Sequence, residues 1–370
     1  TRHEISLLSF LEENQSDDPE AIAPLHTLCQ QIKTIPAPPH TKNGRLQHLL
    51  TSRLPDMAHR LHSPAFDVAL LRLLDETRFD IVQIEGIELA RYMDTVHAAS
   101  PDSRLVFDNH NAETALQRRN FETDKGNPRR WLAAAYSKVQ IGRLSRFERW
   151  ACAMADGITA VSATDRLELQ KNDPKTVITV IPNCIDVSEY TLDEPNPIPF
   201  DLLFSGKMDY RPNVDAVLWF ADKVWPRIRA KRPLTTWAIV GQKPHPRLER
   251  LRGLDGVTLT GWVDRVQPYL AGATVYVMPF RIGSGTRLKL IEAMASGKPI
   301  VSTPMGAEGF PVKSGRELLL AEGVEEMETA VLSLLDDPIA REDLTDNALK
   351  FAQQYDWRQV IPLFEQVYQE

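Results

Sequence analysis

The stretch VYVMPFRIGSGTRLKLIEAMASGKPIVSTPMGAEGF, residues 275–310, carries the most informative pattern in this chain. It reads as a β-branched strand, a glycine-rich loop, a helix and a second strand. Glycines permit close backbone approach, and free amides at the start of a helix bind anions. The pattern therefore predicts a parallel α/β sheet with a phosphate site, for which a diphosphate is the natural guest. The candidate loop residues are Gly283, Ser284, Gly285 and Thr286.

Charged side chains on the following helix extend this candidate site. Arg287 and Lys289 add positive charge beside the loop. Glu292 lies further along, among apolar and small residues, where an acid can accept hydrogen bonds from a ribose diol. The alternative for Glu292 is a structural ion pair with a nearby lysine, and spacing alone does not separate the two. Glycine-rich loops also occur without a bound phosphate.

A second constellation occupies LLFSGKMDYRPNVDAVLWF, residues 202–220. A buried strand ends at Gly206, and Lys207 and Arg211 follow in the loop before a helix. Two cations at the carboxyl end of this strand would face the same crevice as Gly285. A lone basic loop is usually solvated surface, but convergence with the first site favours a function.

The alternation of strands and helices extends over the whole chain, which is typical of parallel α/β sheets. Strands are predicted at residues 5–10, 81–84, 105–107, 157–161, 177–181, 201–205, 236–240, 257–260, 275–279, 300–303 and 318–321. Helices are predicted at residues 64–76, 86–98, 128–155, 213–231, 265–271, 287–296 and 324–336. Two doubly wound domains facing each other across a cleft follow from this order.

Domain boundaries follow from composition. The predicted N-terminal domain covers residues 1–182, and the proline-rich, acidic segment 183–199 is predicted to be a linker. The C-terminal domain is predicted at 200–340, followed by helices at 341–370. The sequence starts on a strand, so we expect a preceding βα unit of roughly 30–40 residues to be absent from it.

Bulk composition narrows the class of function. The 370 residues carry a net charge of −7, which argues against nucleic acid as the main partner. No apolar run approaches the roughly 20 residues needed to span a bilayer. The three cysteines match no metal spacing, so free thiols in the cytoplasm are expected for Cys29, Cys152 and Cys184.

Together these blocks resemble glycosyltransferase family 4, of the glycosyltransferase group 1 type, which includes bacterial sugar transferases of polysaccharide biosynthesis. The resemblance covers nearly all of the chain and is closest in the C-terminal half. It implies the GT-B fold, with two Rossmann-like domains and a C-terminal helix that returns to the N-terminal domain. The blocks that carry it are SGKMDYRPNVDAVLWF, LTGWVDRVQPYLAGATVYVMPF and GSGTRLKLIEAMASGKPIVSTPMGAEGF.

The resemblance implies a role for each matching position. Lys207 and Arg211 would contact the donor diphosphate, and Glu292 would hold the nucleotide ribose. The backbone amides at 285–286 would bind the phosphates, and the loop from Gly261 to Val263 would touch the base.

In the N-terminal half, the resemblance places His110, within VFDNHNAET, beside the donor sugar. A lone histidine after a strand is often a satisfied core or cap residue, which is the alternative here. Glu85, at the end of DIVQIEG, would face the acceptor or cap the strand. Asn183 matches a hinge-side asparagine of the family.

Two departures from the family pattern stand out. The first of two paired glutamates, which contacts the transferred sugar, is replaced by Ser284, so the identity of the sugar stays open. The N-terminal glycine-rich loop that closes over the sugar is absent. Because there is also no Asp-x-Asp motif, the resemblance implies that cations rather than a metal or other cofactor stabilise the leaving diphosphate.

The predicted function is transfer of a sugar from a nucleotide donor, UDP being the commonest in the family, to a glycan, a lipid-linked or a small acceptor. Retention of the anomeric configuration is expected from the resemblance. Residues 117–149 hold nine basic and three acidic side chains, which predicts either peripheral contact with the inner face of the membrane or a solvated basic helix.

The sequence leaves other functions open. A catalytically silent nucleotide-sugar-binding protein or partner subunit is the main alternative, because of Ser284 and the missing start. A nucleotide-sugar 2-epimerase shares the architecture but is disfavoured by the MDYRPN block. A nicotinamide dehydrogenase is disfavoured because no Gly-x-Gly-x-x-Gly follows a strand.

Overall fold

The computed structural model describes residues 3–12, 19–39, 41–126, 131–172, 174–190, 194–283 and 285–369. The chain divides into two compact units. The first comprises Thr1–Val180 with Glu365–Glu370, and the second comprises Ile181–Phe364.

The first unit contains two parallel sheets. Strands β1 and β2 pair with each other, and β3 to β6 form a four-stranded sheet in the order β3-β4-β5-β6. Phe10 of β1 stacks on Phe66 of the helix before β3, so the small sheet packs on the core of the unit. The strands are β1 Ile5–Leu11, β2 Cys29–Pro36, β3 Ile81–Glu85, β4 Arg104–Asn109, β5 Gly157–Ala160 and β6 Thr179–Val180.

Helices connect these strands, as parallel pairing requires. The long α6 and α7 precede β5, and the buried face of α7 packs on the core through Leu144, Phe147 and Ala151. The helices are α1 Pro19–His26, α2 Lys42–Thr51, α3 Asp56–Arg60, α4 Pro64–Glu76, α5 Met93–Ala99, α6 Glu113–Lys125, α7 Trp131–Met154 and α8 Ala163–Gln170, and a 3-10 turn at Ala90–Tyr92 precedes α5.

The second unit is a single six-stranded parallel sheet with the order β12-β11-β10-β7-β8-β9. Counted from β7, this is the 3-2-1-4-5-6 order of the doubly wound nucleotide-binding fold. Its strands are near-continuous apolar runs because both faces are covered by helices, and Leu202, Leu203 and Phe204 are fully buried. The strands are β7 Phe200–Ser205, β8 Trp237–Val240, β9 Val257–Gly261, β10 Ala273–Met278, β11 Ile300–Ser302 and β12 Leu319–Leu320.

The helices of this unit follow the strands in the expected positions. A π-helical turn, Phe220–Val224, joins α9 to α10 within the single helix predicted there. The helices are α9 Arg211–Trp219, α10 Trp225–Lys231, α11 Gln267–Gly272, α12 Leu288–Ala295, α13 Gly323–Asp336, α14 Pro338–Ala352 and α15 Trp357–Gln369, with 3-10 turns at Val187–Tyr190, Pro246–Gly253 and Gln353–Tyr355.

The segment predicted as a linker, 183–199, belongs to the second unit. Val187 is buried in the core, and its N–H donates to Asp356 Oδ2 at 3.1 Å. The backbone of Ile185 also pairs with Tyr355 and Trp357 on either side of that aspartate. Residues 185–187 of this segment are therefore attached to the C-terminal part of the chain.

The C-terminal helices divide unevenly between the units. Helix α14 packs on α12 in the second unit, and only the last six residues belong to the first. Arg104 of β4 donates to the carbonyl of Val367, and the hydroxyl of Tyr368 donates to Gln83 of β3. In the described part of the chain, every helix is too short or too polar to cross a membrane.

Candidate functional site

The reversal point of the larger sheet lies between β7 and β10, which pair directly through Leu203 and Tyr276. Ligands of doubly wound sheets bind outside the carboxyl ends of the strands at this point. The loop after β7 contains Gly206 and Lys207, and the loop after β10 contains Gly283 and Gly285. The topology therefore places the two sequence constellations on adjacent strands of one sheet edge.

Lys289 connects the two loops. Its Nζ donates to the carbonyl oxygen of Ser205, the last residue of β7, at 2.6 Å and to Asn213 Oδ1 at 3.0 Å. Asn213 in turn donates from Nδ2 to the carbonyl of Lys207 at 2.8 Å. Burial lowers the pKa of Lys289 to about 7, although the nearby Glu292 opposes this shift. An anion bound beside the ammonium group would restore its charge.

Close packing explains the glycines that follow β7 and β8. A Cβ on Gly206, whose φ is +149°, would lie 2.3 Å from Lys289 Nζ and 2.8 Å from Asn213 Nδ2. Gly241, directly after β8, has φ +155°, and its Cβ would lie 1.7 Å from the carbonyl oxygen of Gly206. At Gly241 backbone atoms occupy the space of a side chain, and at Gly206 the side chains of Lys289 and Asn213 occupy it, so both positions favour glycine.

The cations of the β7 loop are exposed. Lys207 Nζ lies 3.9 Å from Asp209 Oδ1, and the Lys207 side chain is 55% exposed. Arg211 is the first residue of α9 and is also exposed. Both side chains are long enough to reach an anion at the sheet edge without the desolvation that Lys289 experiences.

The glycine-rich loop adopts backbone conformations that favour glycine. Gly283 has φ +119° and Gly285 has φ +77°, while Ser284 between them lies outside the described residues. Arg287 closes the loop by donating from Nη1 to the carbonyl of Met305 at 2.6 Å, and its guanidinium lies 4.7 Å from the centroid of the Phe280 ring. The loop thus leads directly into the start of α12, and the start of a helix is where backbone amides bind phosphates.

Thr286 is held from two sides. Its Oγ1 accepts a hydrogen bond from Asn183 Nδ2 at 3.0 Å. Its methyl group faces Gly309, where a Cβ would lie only 2.6 Å from Thr286 Cγ2. The contact with Asn183 ties the end of the glycine loop to the segment that enters the second unit.

Glu292 is a partly buried carboxylate beside two tyrosines. Burial raises its pKa, whereas a hydrogen bond from the Tyr190 hydroxyl and the charge of Lys289 act in the opposite direction. The pKa of Tyr190 is raised by burial and by this carboxylate, so Tyr190 remains the donor. Tyr276 lies behind them, with its hydroxyl 2.7 Å from Ser205 Oγ. Glu292 is therefore a hydrogen-bond acceptor. Tyr190, at the end of the 3-10 turn Val187–Tyr190, orients its carboxylate, and Lys289 is the neighbouring cation.

The loop after β9 carries the predicted base contacts. Gly261 has φ +78°, and a Cβ there would meet open space. Val263 packs against the core, and Trp262 between them is 70% exposed. Strands in a sheet are about 4.8 Å apart, so the end of β9 lies roughly 10 Å from the end of β7, a distance that a nucleotide can span.

His110 belongs to the first unit. Its Nε2 lies 2.8 Å from Glu85 Oε2 and 3.8 Å from Asp108 Oδ2, at the carboxyl ends of β3 and β4. The hydrogen bond to Glu85 outweighs partial burial and raises the pKa of His110. Burial opposes ionisation of Glu85, but hydrogen bonds from His110 and Gln83 hold its pKa below the usual value. The result is an exposed histidine–carboxylate pair.

Among the described residues, Glu85, Asp108 and His110 also form a group whose potential metal-ligand atoms lie within 4.8 Å of one another. Burial raises the pKa of Asp108, and the Thr159 hydroxyl donates to its Oδ1. Within this group His110 and Glu85 are in direct contact.

Three residues of the site in the second unit were not identified from the sequence. Tyr190 lies in the aperiodic segment 183–199, and its meeting with Glu292 joins positions about a hundred residues apart. Asn213 looked like an ordinary helix residue, although its place in the RPN triplet just inside α9 is suggestive. Gly241 directly follows an apolar strand, as Gly206 does, and that shared position was a usable signal.

The comparisons with known proteins agree with this architecture. Residues 26–189 match the family model for Glycosyltransferase Family 4, and residues 199–337 match the model for Glycosyl transferases group 1. The uncharacterized 44.6 kDa protein in the cps region of Klebsiella pneumoniae is 24% identical over 170 residues, which are 44% of each chain. D-inositol 3-phosphate glycosyltransferase 2 of Catenulispora acidiphila is 28% identical over 233 residues, covering 57% of this chain and 54% of that protein. The chain thus spans about half the length of these two curated relatives.

Solved structures resemble the chain over its whole length. HepE of Anabaena, in complex with UDP and glucose, has a TM-score of 0.64 at 13% identity and covers 99% of both chains. Sucrose-phosphate synthase from Thermosynechococcus elongatus has a TM-score of 0.67 at 16% identity and covers 99% of this chain and 98% of its own. The chain has the GT-B fold and belongs to the group 1 and family 4 glycosyltransferases.

Proposed function

We propose that the chain transfers a sugar from a nucleoside diphosphate donor to an acceptor hydroxyl. The observation that carries this proposal is the convergence, on the carboxyl edge of β7 and β10, of a glycine-rich anion loop, exposed cations and a hydrogen-bond-accepting carboxylate. A diphosphate fits Lys207, Arg211 and the amides at the start of α12. A ribose diol fits Glu292, which Tyr190 orients.

The chemistry of sugar transfer requires these groups. The bond between the anomeric carbon and the diphosphate oxygen breaks, and negative charge accumulates on the leaving group while the acceptor oxygen bonds to the anomeric carbon and gives up its proton to the leaving diphosphate. Lys207, Arg211 and the amides before Leu288 stabilise that charge where it develops. When Lys289 is protonated, it adds a positive charge behind the loop.

UDP is the proposed nucleotide. HepE, which shares the fold, was crystallised with UDP and with UDP-glucose, and this supports a uridine donor here. The exposed ring of Trp262 offers a stacking surface for the base at the end of β9. The carboxylate of Glu292 accepts hydrogen bonds from either ribose hydroxyl, so it reads the ribose and not the base.

A thermal-shift panel with UDP, GDP, ADP and TDP tests the donor site. A ligand at 100 times its dissociation constant adds about 2.7 kcal/mol, which raises the Tm by several degrees. We expect UDP to stabilise wild type and not Glu292→Ala. Glu342→Ala, on the exposed side of α14, is the matched control and should respond like wild type. No shift with any nucleotide would contradict the proposal.

Metal independence and retention are further parts of the proposal. They rest on the cationic loop, the lack of an Asp-x-Asp motif and the family pattern. Transfer from UDP-glucose or another UDP-sugar should persist in EDTA, and NMR of the product should show the donor's anomeric configuration. An inverted product would remove retention. Binding of UDP without turnover on any acceptor would identify a silent nucleotide-sugar-binding protein instead.

We also propose peripheral contact of segment 117–149 with an anionic membrane. At the start of α7, Trp131 is 64% and Leu132 is 90% exposed, which suits insertion into an interface. Phe147 is buried and Tyr136 holds Arg45 by a hydrogen bond of 3.0 Å, so these two aromatic residues take no part. Flotation with phosphatidylglycerol vesicles should be lost in Trp131→Ser/Leu132→Ser, and a wild-type protein that stays unbound at low salt would refute the contact.

A further inference from the structure

A cavity of about 550 Å³ opens in the first unit. The segment before α3, the start of α4, the turn that leads into α5 and the middle of α7 form its wall. Small-molecule sites typically measure about 300–1,000 Å³, so the cavity is large enough for a compound of sugar-phosphate size or more.

Positive charge dominates the wall. Two acids, Asp67 and Asp94, face four guanidinium groups, and Asp67 already accepts a hydrogen bond from Thr95 Oγ1 at 3.0 Å. Partial burial and the charge of Arg91 lower the pKa of His62, so that imidazole is neutral near pH 7. The four lining arginines are Arg53, Arg91, Arg143 and Arg146.

Arg143 carries the most specific signal. Its Nη2 donates to the carbonyl oxygen of Leu49 at 2.8 Å, which fixes the guanidinium plane. Its Nη1 is buried and has no hydrogen-bond partner among the described residues. Buried donors are almost always satisfied, so an unpartnered guanidinium nitrogen on a residue that lines the cavity points to a missing acceptor.

An aromatic wall lies beside the arginines. Phe147 and Trp150, one turn apart on α7, stack with ring centroids 5.2 Å apart and an interplanar angle of 16°. A lone phosphate would fill only a small part of the cavity and would not use these rings. The part of a suitable ligand beyond its phosphate therefore presents C–H groups to the two rings, as a pyranose ring or an isoprenoid chain does.

We propose that this cavity binds the phosphate or diphosphate group of a phosphorylated ligand, whose sugar or isoprenoid part packs on Phe147 and Trp150. Planar guanidinium groups match pairs of phosphate oxygens in a bidentate manner. Arg143 and Arg146 approach from α7 and Arg91 from the turn before α5, so the anion is held by separate elements. This binding does not depend on the proposed sugar transfer.

Inorganic pyrophosphate is the first probe, measured by isothermal titration calorimetry on the full chain with saturating UDP present. UDP keeps the probe away from the loop at 283–287. We expect pyrophosphate to bind wild type, and Arg53→Gln/Arg146→Gln to lose at least tenfold in affinity. Both arginines are exposed, so the double variant should keep the wild-type Tm. Arg143→Lys, which keeps the charge but loses the planar fork, should lose a similar factor.

Arg149→Gln is the matched control, because Arg149 lies on α7 and is exposed but does not line the cavity. It should bind pyrophosphate like wild type. An equal loss in this control, or no binding to wild type, would overturn the proposal. Failure of UDP to bind would count against the donor site alone, since the arginine variants report on the cavity whether or not UDP is bound.

Two further probes distinguish the source of the phosphate. If farnesyl diphosphate binds at least tenfold more tightly than pyrophosphate, the ligand is an isoprenoid phosphate. If glucose 1-phosphate binds at least tenfold more tightly than pyrophosphate, the ligand is a sugar phosphate. In either case, Trp150→Ala should remove the advantage over pyrophosphate. If neither organic part adds affinity, the aromatic wall does not contact the ligand and that part of the proposal is wrong.

Discussion

The ammonium group of Lys289 lies 2.6 Å from the carbonyl oxygen of Ser205, although 84 positions separate the two residues in the sequence. This contact joins α12, which follows the glycine-rich loop, to the carboxyl end of β7, which precedes the loop that carries Lys207. It also removes the ammonium group from water, which is why the pKa of Lys289 falls to about 7.

The affinity for UDP-glucose should therefore decrease as pH rises from 6 to 8.5. The diphosphate of this ligand does not titrate in that range, whereas Lys289 loses its proton and with it a charge-assisted contact. Such a contact is worth about 1.5–3 kcal/mol, so a decrease of roughly tenfold or more is expected by calorimetry. In Lys289→Gln the affinity should be lower and independent of pH. A pH-dependent Lys289→Gln would exclude this assignment.

The same titration affects folding in a defined direction. Between pH 7 and 10.5 the unfolded chain keeps a proton on Lys289 that the folded chain has lost. Lys289 therefore makes the free energy of unfolding increase as pH rises from 7 to 10.5. Urea unfolding of wild type and Lys289→Gln should show the variant's relative stability declining between pH 7 and 10. A constant difference would mean that the folded-state pKa is not lowered.

The hydrogen bond from Tyr190 to Glu292 predicts graded losses of UDP binding. Glu292→Gln removes the charged acceptor of the ribose, and a loss of about 1.5–3 kcal/mol, or roughly 10- to 150-fold, is expected. Tyr190→Phe removes only the group that orients the carboxylate, and about 0.5–1.5 kcal/mol should be lost. Calorimetry with UDP measures both. Equal losses would indicate that Tyr190 contacts the nucleotide itself.

Gly241→Ala should strongly destabilise the second unit. The new Cβ would lie 1.7 Å from the carbonyl oxygen of Gly206, and φ is +155° at this position. Because backbone must move to relieve the clash, we expect a loss of about 3 kcal/mol or more in urea unfolding. Gly253→Ala is the control, since nothing lies within 4 Å of a Cβ there. A Gly241→Ala protein as stable as wild type would contradict the close approach of the two loops.

The His110–Glu85 pair predicts a pH-dependent contribution to stability. The pKa of folded His110 is raised above the ordinary value of 6.5. The stabilisation is therefore complete below about pH 6.5 and is lost as pH rises through the raised pKa. The difference in unfolding free energy between wild type and His110→Gln should shrink from pH 6 to pH 9. Glu85→Gln should abolish this trend, and a difference that grows with pH would show that the pair is not charged.

Parts of the fold were readable from local patterns. The strands β7, β8 and β10 are apolar runs buried on both faces, and each was predicted within two residues of its bounds. In contrast, β2 was missed because its pattern CQQIKTIP leaves half of its side chains exposed, so no apolar period signals it. A strand of this kind is defined by its partner, here β1, and not by its own composition.

The sequence by itself determined the doubly wound α/β class, the glycine-rich loop before α12 and the candidate charges around it, because strand burial, backbone freedom and charge are properties of short segments. Only the tertiary structure decided which of these groups meet. The pairing of Tyr190 with Glu292, the anchoring of Lys289 on Ser205 and the arginine cavity each join residues from distant segments. Local pattern carries no information on such contacts, since they depend on strand order and on how the helices pack on the sheet.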